Sequence, residues 1–524
     1  MYAELHYKPK YIFSRYFIKE PEILADCPFR IDKGADLPIL LLIKDSDKYP
    51  IKINHVVIDI HNDKECIASL TKKYNMFIKN KWWHEIIKIK VKHMHGAHKI
   101  IVKFNYEING NKKDCLTHNY PNSKIHDLKC YFSNYLYPRF NSVAYGDLHY
   151  HTNLTDDMVE FGAPMYETLK ISESMGIDFV CNTDHSYDLD DKIGSWFETD
   201  PNLIKWKESR EEISKINKNN DIKSKMIPSE ELSLHNCKHQ NIHALILNNS
   251  SFLPGYGDGG ENLFHRDSIY DTSSIYNALE EEALCIAAHP FVKVPLLERI
   301  IFKRGQWKFK DIIDNKLCGF QILNGKIDHG FKAGLKIWKK ILLMGYYKYI
   351  YAGNDAHGNF NNYRQIKIPM VNILEREEQI FGNFRTGIYG GVGKSITRII
   401  SKLRRGNCFL TNGPCIEMLF LSGNKEYHCG EKCFQGSGII KVNSSSTPEF
   451  GLINQCIIYL GTIGNKNEKI YKQVNNISNY KFSIEFDILV NKKSYIRLEI
   501  NTNGGEISKK GFAMTNPIWI CDSN

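Results

Sequence analysis

Histidines and aspartates recur in four short clusters: His149-Tyr150-His151, Thr183-Asp184-His185, His289-Pro290 and Asp355-Ala356-His357. Imidazole and carboxylate are the side chains that bind divalent cations, and a bound cation can activate water for hydrolysis. Each of the last three clusters follows a strand-like run: Ile177-Asp178-Phe179-Val180-Cys181-Asn182, Leu284-Cys285-Ile286-Ala287-Ala288 and Tyr349-Ile350-Tyr351-Ala352-Gly353. In extended chain, residues i and i+2 point the same way, so His149 with His151 and Asp355 with His357 can act as pairs. A lone strand-end histidine is more often a structural hydrogen-bonding group, and an Asp-His pair can simply cap a turn. The conjunction of all four is what points to a metal site. If the strands lie parallel in one barrel, their C-terminal ends share a rim and the clusters converge.

The elements that would position these residues follow from changes in pattern. Residues 1 to 141 carry runs such as Pro38-Ile39-Leu40-Leu41-Leu42-Ile43, Val56-Val57-Ile58-Asp59-Ile60 and Lys99-Ile100-Ile101-Val102-Lys103-Phe104, with Asn109-Gly110 as a hairpin signal. They read as an all-β sandwich of immunoglobulin-like size. From 142 to 414, strands alternate with helical stretches such as Pro164 to Met175 and Lys332 to Leu343, a pattern that favours a parallel α/β core. Residues 415 to 524 return to alternation, notably in Tyr495-Ile496-Arg497-Leu498-Glu499-Ile500, and suggest a second sandwich.

The four clusters resemble, in order and in content, the motifs of the PHP (polymerase and histidinol phosphatase) superfamily. The resemblance rests on Tyr145-Gly146-Asp147-Leu148-His149-Tyr150-His151-Thr152, the Thr-Asp-His and Ala-His-Pro triplets, and Asn354-Asp355-Ala356-His357. It implies a distorted (β/α)7 barrel holding up to three metal ions, here flanked by N- and C-terminal all-β sandwiches. Extra β domains are also a feature of the similar CehA/McbA-type metallohydrolases, one of which cleaves a carbamate ester.

The resemblance further implies a ligand set of His149, His151, Asp156, His185, Glu231, His243, His289, Asp355 and His357. Thr155 and Asp156 continue the first motif, with Asp157 as the rival carboxylate. Glu231 is the bridging carboxylate with Glu230 as its alternative, and His243 opens an apolar strand with His239 as its alternative. Nitrogen and oxygen donors without thiolate suit two or three ions of Zn, Mn or Fe better than one structural zinc. Glu231 and Asp355 are the candidate catalytic carboxylates. Asp147 and Asp184 are candidate acceptors for imidazole N–H groups, although both could serve only backbone amides in their turns. Arg364 and Arg385 could grip a substrate oxyanion or be ordinary ion-pair residues.

Composition narrows the setting. The chain has 524 residues and 42% hydrophobic content, enough to bury real cores in two or three domains. The longest apolar run, Leu37 to Ile43, is far too short to cross a bilayer, and Lys8, Lys10 and Arg15 lead into no apolar signal region. A cytoplasmic protein without membrane attachment is expected. The fourteen cysteines are scattered without a C-x-x-C pair; Cys429 and Cys433, beside His428, offer only a weak zinc-clip pattern. The net charge of +10 is spread along the chain and interleaved with acids, as in Lys205 to Lys215. That disfavours nucleic acid and is compatible with drawing a small anionic substrate.

Two glycine-rich loops stand apart. Gly387 to Ser395 superficially resembles a P-loop, but Ile388 occupies the position where the first glycine is needed. Pro254 to Gly260 follows the His243 strand and is expected to overhang the same rim, or to be an ordinary surface loop.

The expected activity is hydrolysis of a phosphomonoester or phosphodiester by metal-activated water. Two rivals stand beside it: hydrolysis of a carbamate, amide or ester at the same site, and a non-catalytic carbohydrate- or protein-binding role. The sequence does not specify oligomeric state.

Overall fold

The structure is a computed structural model. It describes residues 2–3, 20–120, 127–156, 160–195, 198–256, 267–367, 372–376, 378–391, 395–508 and 510–522. Asp157, most of the 254–260 loop, and Gly393 and Lys394 of the P-loop-like segment lie outside them.

The chain divides into two compact units that do not follow chain order. One comprises residues 1–136, 151–176 and 356–381; the other comprises 137–150, 177–355 and 382–524. These limits cut across the sequence boundaries at 141 and 414.

In the first unit, two sheets enclose an aliphatic core. The larger has the strand order Arg30–Ile31, Leu128–Phe132, Gly96–Ile108, Ile51–His61, Cys66–Ile78, with Asn111–Leu116 folded back on Gly96–Ile108. The smaller is Glu22–Asp26, Leu37–Lys44, Trp82–Ile89. Alternate residues of Gly96–Ile108 are buried, the period-2 signature of a strand with one face on a core, here among Ile39, Leu41, Val56, Ile58, Val102 and Phe104. Helix Met165–Ser174 packs on the Leu37–Lys44 and Trp82–Ile89 strands.

The second unit is built on one long mixed sheet. Its strands run in the order Tyr349–Gly353, Gly319–Asn324, Leu284–Ala287, Asn241–Leu247, Lys225–His235, Phe179–Asn182, Ala144–His151, Arg385–Ile388 and Cys408–Thr411. The sheet then continues into Phe512–Thr515, Ser494–Thr502, Ile453–Thr462 and Lys469–Asn479. Helix Ile204–Lys218 packs on Lys225–His235, and helix His329–Leu343 on Gly319–Asn324. The latter helix starts where the Asp328 side chain accepts from Phe331 N, and it buries Trp338, Ile341 and Leu342. A separate antiparallel sheet of Lys425–Tyr427, Cys415–Ser422, Gly436–Ser445 and Lys481–Val490 completes the unit.

This arrangement corrects the expected (β/α)7 barrel. Strand accounts for 46% of the structure and helix for 14%. A β/α barrel needs every neighbouring pair of strands to be parallel. Here Lys225–His235 pairs antiparallel with Asn241–Leu247, which pairs antiparallel with Leu284–Ala287, and Ala144–His151 pairs antiparallel with Arg385–Ile388. The physical reason is the connection between Lys225–His235 and Asn241–Leu247. Residues 236–240 close a tight turn, and a parallel crossover needs a dozen residues or more. Among the described residues, no helix is long and apolar enough to cross a membrane.

Candidate metal centre

Six of the nine expected ligands meet in the second unit, gathered around Glu231. The Lys225–His235 strand directs alternate side chains to opposite faces, which separates Glu231 from Glu230. Glu230 faces Arg210 Nη2 at 2.6 Å and Trp206 Nε1 at 2.8 Å, so it is committed to an ion pair. Glu231 points the other way. Ser233, on the same face, is directly opposite His243, so Glu231 and His243 form a diagonal cross-strand pair.

Four imidazoles converge on the Glu231 carboxylate, which is 1% exposed. Its Oε1 lies 2.7 Å from His243 Nδ1 and 3.0 Å from His289 Nε2. Its Oε2 lies 3.2 Å from His149 Nε2 and 3.2 Å from His185 Nδ1. Asp355 Oδ1 is 3.4 Å from His149 Nε2, and its side chain is the more open of the two carboxylates. Asp355 N donates to His149 O at 2.8 Å.

His289 and Asp355 both sit at positive φ, 28° and 54°. Non-glycine residues pay for that conformation, and such outliers concentrate at functional sites.

The electrostatics follow from this packing. Burial acts to lower the His149 pKa, but the Glu231 and Asp355 charges prevail and raise it to about 9. Burial holds His289 below the ordinary imidazole value in spite of Glu231.

A hydrogen-bonded relay missed in the sequence orients the cluster. His149 Nδ1 pairs with Gln321 Oε1 at 2.9 Å; Gln321 Nε2 donates to Asn324 Oδ1 at 2.9 Å, and Asn324 Nδ2 donates to Asp355 Oδ2 at 3.1 Å. Two amides in the otherwise apolar Phe320-Gln321-Ile322-Leu323-Asn324 run were the available signal. Asp147 collects amide donors instead. It accepts from Asn354 N and Nδ2, Gly382 N and His149 N, while burial raises its pKa to about 6. Asp184 accepts from Asn182 Nδ2 at 2.5 Å.

Of the proposed substrate arginines, Arg385 is buried with its guanidinium 3.6 Å from the Tyr137 ring centroid, its Nε donating to Gly382 O. The arginine at the cluster is Arg304, whose Nη2 lies 3.2 Å from His243 Nδ1. Its segment is held beside the His243 strand by Asn241 N→Lys303 O and Gly305 N→Asn241 O. Nothing in sequence spacing marked it.

The remaining expected residues lie in the first unit. The His151 and His357 rings stack at 4.0 Å, His151 Nδ1 pairs with Thr155 Oγ1 at 3.2 Å, and His357 Nε2 is 3.2 Å from Glu160 Oε1. Asp156 is ion-paired to Lys44 at 3.1 Å and Lys81 at 2.5 Å. Arg364 is buried, its guanidinium 5.8 Å from the Tyr120 ring.

The second-unit donors fit a cation. Atoms bound to one ion at about 2.1 Å sit roughly 3.0 to 3.4 Å apart at octahedral or tetrahedral angles, the spacing of three of the four Glu231 contacts, at 3.0, 3.2 and 3.2 Å; the fourth, to His243, is 2.7 Å. Glu231, His243 and His289 alone bring three donor atoms within 4.8 Å of one another. These buried groups could bind a metal ion.

No protein-family model and no curated protein matches this chain. Among solved structures, a Bacteroides uniformis β-glucuronidase is similar at 10% identity and TM-score 0.20, covering 96% of this chain and 61% of that one. A Dictyoglomus thermophilum β-D-mannosidase gives 9% identity and TM-score 0.24, covering 95% and 66%. A Paenibacillus cycloisomaltooligosaccharide glucanotransferase gives 9% identity and TM-score 0.19, covering 98% and 72%. The chain thus spans under two thirds of the length of the first two enzymes. TM-scores this low carry no inference about fold or activity.

Proposed function

We propose that this protein is a metal-dependent hydrolase whose Glu231-centred cluster cleaves a phosphoester. The observation that carries the reading is the convergence of four imidazoles on one buried carboxylate at the spacing of a coordination shell. The motif resemblance to the PHP superfamily supports the same chemistry. A divalent cation held there, Zn, Mn or Fe, would supply Lewis acidity and bring the pKa of water towards neutrality.

The protein's own groups do the rest. Gln321 fixes the His149 ring, so its Nε2 faces the two carboxylates. Glu231 is sealed by imidazoles and positions them. Asp355, the more open carboxylate, is placed to take a proton from the attacking water at Oδ1.

Arg304 favours the phosphoester over the neutral carbamate. A guanidinium beside the cluster is suited to donate to the oxygens of a bound phosphate, a charge-assisted pairing that a neutral carbamate does not offer.

Stripping the full chain with chelator and adding back single metals tests the proposal, with p-nitrophenyl phosphate, its bis-ester and a p-nitrophenyl carbamate as parallel substrates. Activity should vanish and return with metal, strongest on phosphate. Full activity in metal-free protein would end the reading, and turnover of the carbamate alone would transfer the site to the other bond.

A further inference from the structure

The first unit closes its apolar core around a pair of thiols. Cys27 directly follows the Glu22–Asp26 strand of the smaller sheet, and Cys130 lies within the Leu128–Phe132 strand of the larger one. Both are buried in the same core, where the Cys27 thiol is hydrogen-bonded to the Cys130 thiol.

The backbone on either side of the pair is fixed without help from sulfur. Tyr131 N donates to Phe29 O at 2.8 Å, and Arg30 and Ile31 pair in register with Tyr131 and Phe132. The Asn361 carboxamide then laces the two segments together. Its Nδ2 donates to Cys27 O at 3.2 Å and to Lys129 O at 2.8 Å, its Oδ1 accepts from Lys129 N at 3.0 Å, and Cys27 Sγ lies 3.6 Å from the same Nδ2. The strap that contains Asn361 is tied to the same place, for Phe360 N donates to Asp26 Oδ2 and Phe29 N to Phe360 O, both at 3.0 Å. The thiols therefore meet on a backbone that is already held in position.

Burial, and after it the neighbouring thiol, pushes the Cys27 pKa well above the ordinary thiol range, so thiolate is scarce in the folded chain. Thiol–disulfide exchange needs both thiolate and access, and both are available before the core closes.

We propose that Cys27 and Cys130 are a latent disulfide, a redox-sensitive staple between the two sheets of the first unit that closes when the chain folds under oxidising conditions and stays open under reducing ones. Closure joins Cys27 Sγ to Cys130 Sγ. Both thiol protons and two electrons pass to a small disulfide such as oxidised glutathione, which leaves as two thiols. The new bond closes a loop of about 100 residues, a length at which a cross-link restricts the unfolded chain strongly. Through Asn361 and Phe360 it also secures the strap in the 356–381 segment of the same unit.

The test is to refold the full chain in a mixture of reduced and oxidised glutathione, alkylate the free thiols and map the peptides without reduction. A Cys27–Cys130 peptide pair should be the dominant cross-link, and the unfolding equilibrium constant of the oxidised chain should be about 1,000-fold smaller than that of the reduced chain. Cys130→Ala should leave Cys27 alkylated and make the unfolding midpoint independent of the redox buffer, whereas Cys66→Ser, at an exposed position, should change neither result. Because the cross-link is read on the wild type, the test stands even where Cys130→Ala does not fold. Alkylation of both Cys27 and Cys130 after oxidative refolding, or pairing of either with a different cysteine, would overturn the proposal.

Discussion

Replacing Glu231 by Gln keeps the shape of the side chain and deletes the one negative charge that four imidazole nitrogens share at 2.7, 3.0, 3.2 and 3.2 Å. At 1% exposure, little water is available to compensate. Removing one partner from a buried ionic arrangement costs about 3 to 5 kcal/mol. At 1.36 kcal/mol per decade, metal affinity should fall by roughly two to three and a half powers of ten. The amide also offers N–H donors where the imidazoles already present nitrogen, so the loss should sit at the upper end of that range. Metal content after dialysis against a calibrated chelator gives the measurement, with zinc and manganese run separately. Glu230→Gln is the internal control. It breaks the Arg210 ion pair on the opposite face and should lower the unfolding midpoint while leaving the Glu231 cluster's metal in place. If Glu231→Gln holds metal within threefold of the wild type while Glu230→Gln loses it, the assignment of the two faces is wrong.

Arg304→Gln should weaken inhibition by inorganic phosphate about 10- to 100-fold at unchanged metal content, since one charge-assisted hydrogen bond contributes about 1.5 to 3 kcal/mol; unchanged inhibition would remove Arg304 from substrate binding. Gln321→Leu, which cuts the relay between His149 and Asp355, should lower metal affinity 10- to 100-fold, and retention of full affinity would reduce the relay to packing. Lys348 donates to Asp314 O and Leu317 O, and burial lowers its pKa from 10.5 to about 8. Between those values the unfolded chain binds more protons, so the stability of the wild type relative to Lys348→Met should rise by about 3 kcal/mol from pH 8 to 10.5. A flat difference in denaturant midpoints across that range would show that Lys348 is solvated.

The individual strands were legible because their side chains carry the period. Leu37–Lys44, Ile51–His61 and Tyr349–Gly353 lie where apolar runs or β-branched residues placed them. The direction of pairing is not legible in the same way. Alternation of strand and helix between 142 and 414 suggested parallel neighbours, but the 236–240 connection admits only a hairpin, a constraint of chain length that outweighs the alternation. Within the site, histidines and carboxylates announced themselves by type. Gln321 and Arg304 did not, because an amide in a strand and an arginine in a loop have many ordinary uses, and only tertiary contact reveals which one applies. Asp147 shows the converse. It stands two residues from a histidine in the sequence, yet its geometry is that of a carboxylate collecting amides.

The cluster is assembled from contacts of very different reach along the chain. Glu231 and His243 are 12 residues apart and meet across one hairpin, whereas His149 and Gln321 are separated by 172 residues. Loop-closure entropy makes the first contact cheap and early and the second slow. The Glu231–His243 contact is thus expected to form ahead of the one that brings in His149. A cation captured at that stage has few competing ligands and exchanges readily, so the ion present during folding need not be the one retained. On the proposed function, refolding in mixed metals should give a different occupancy from loading the folded chain.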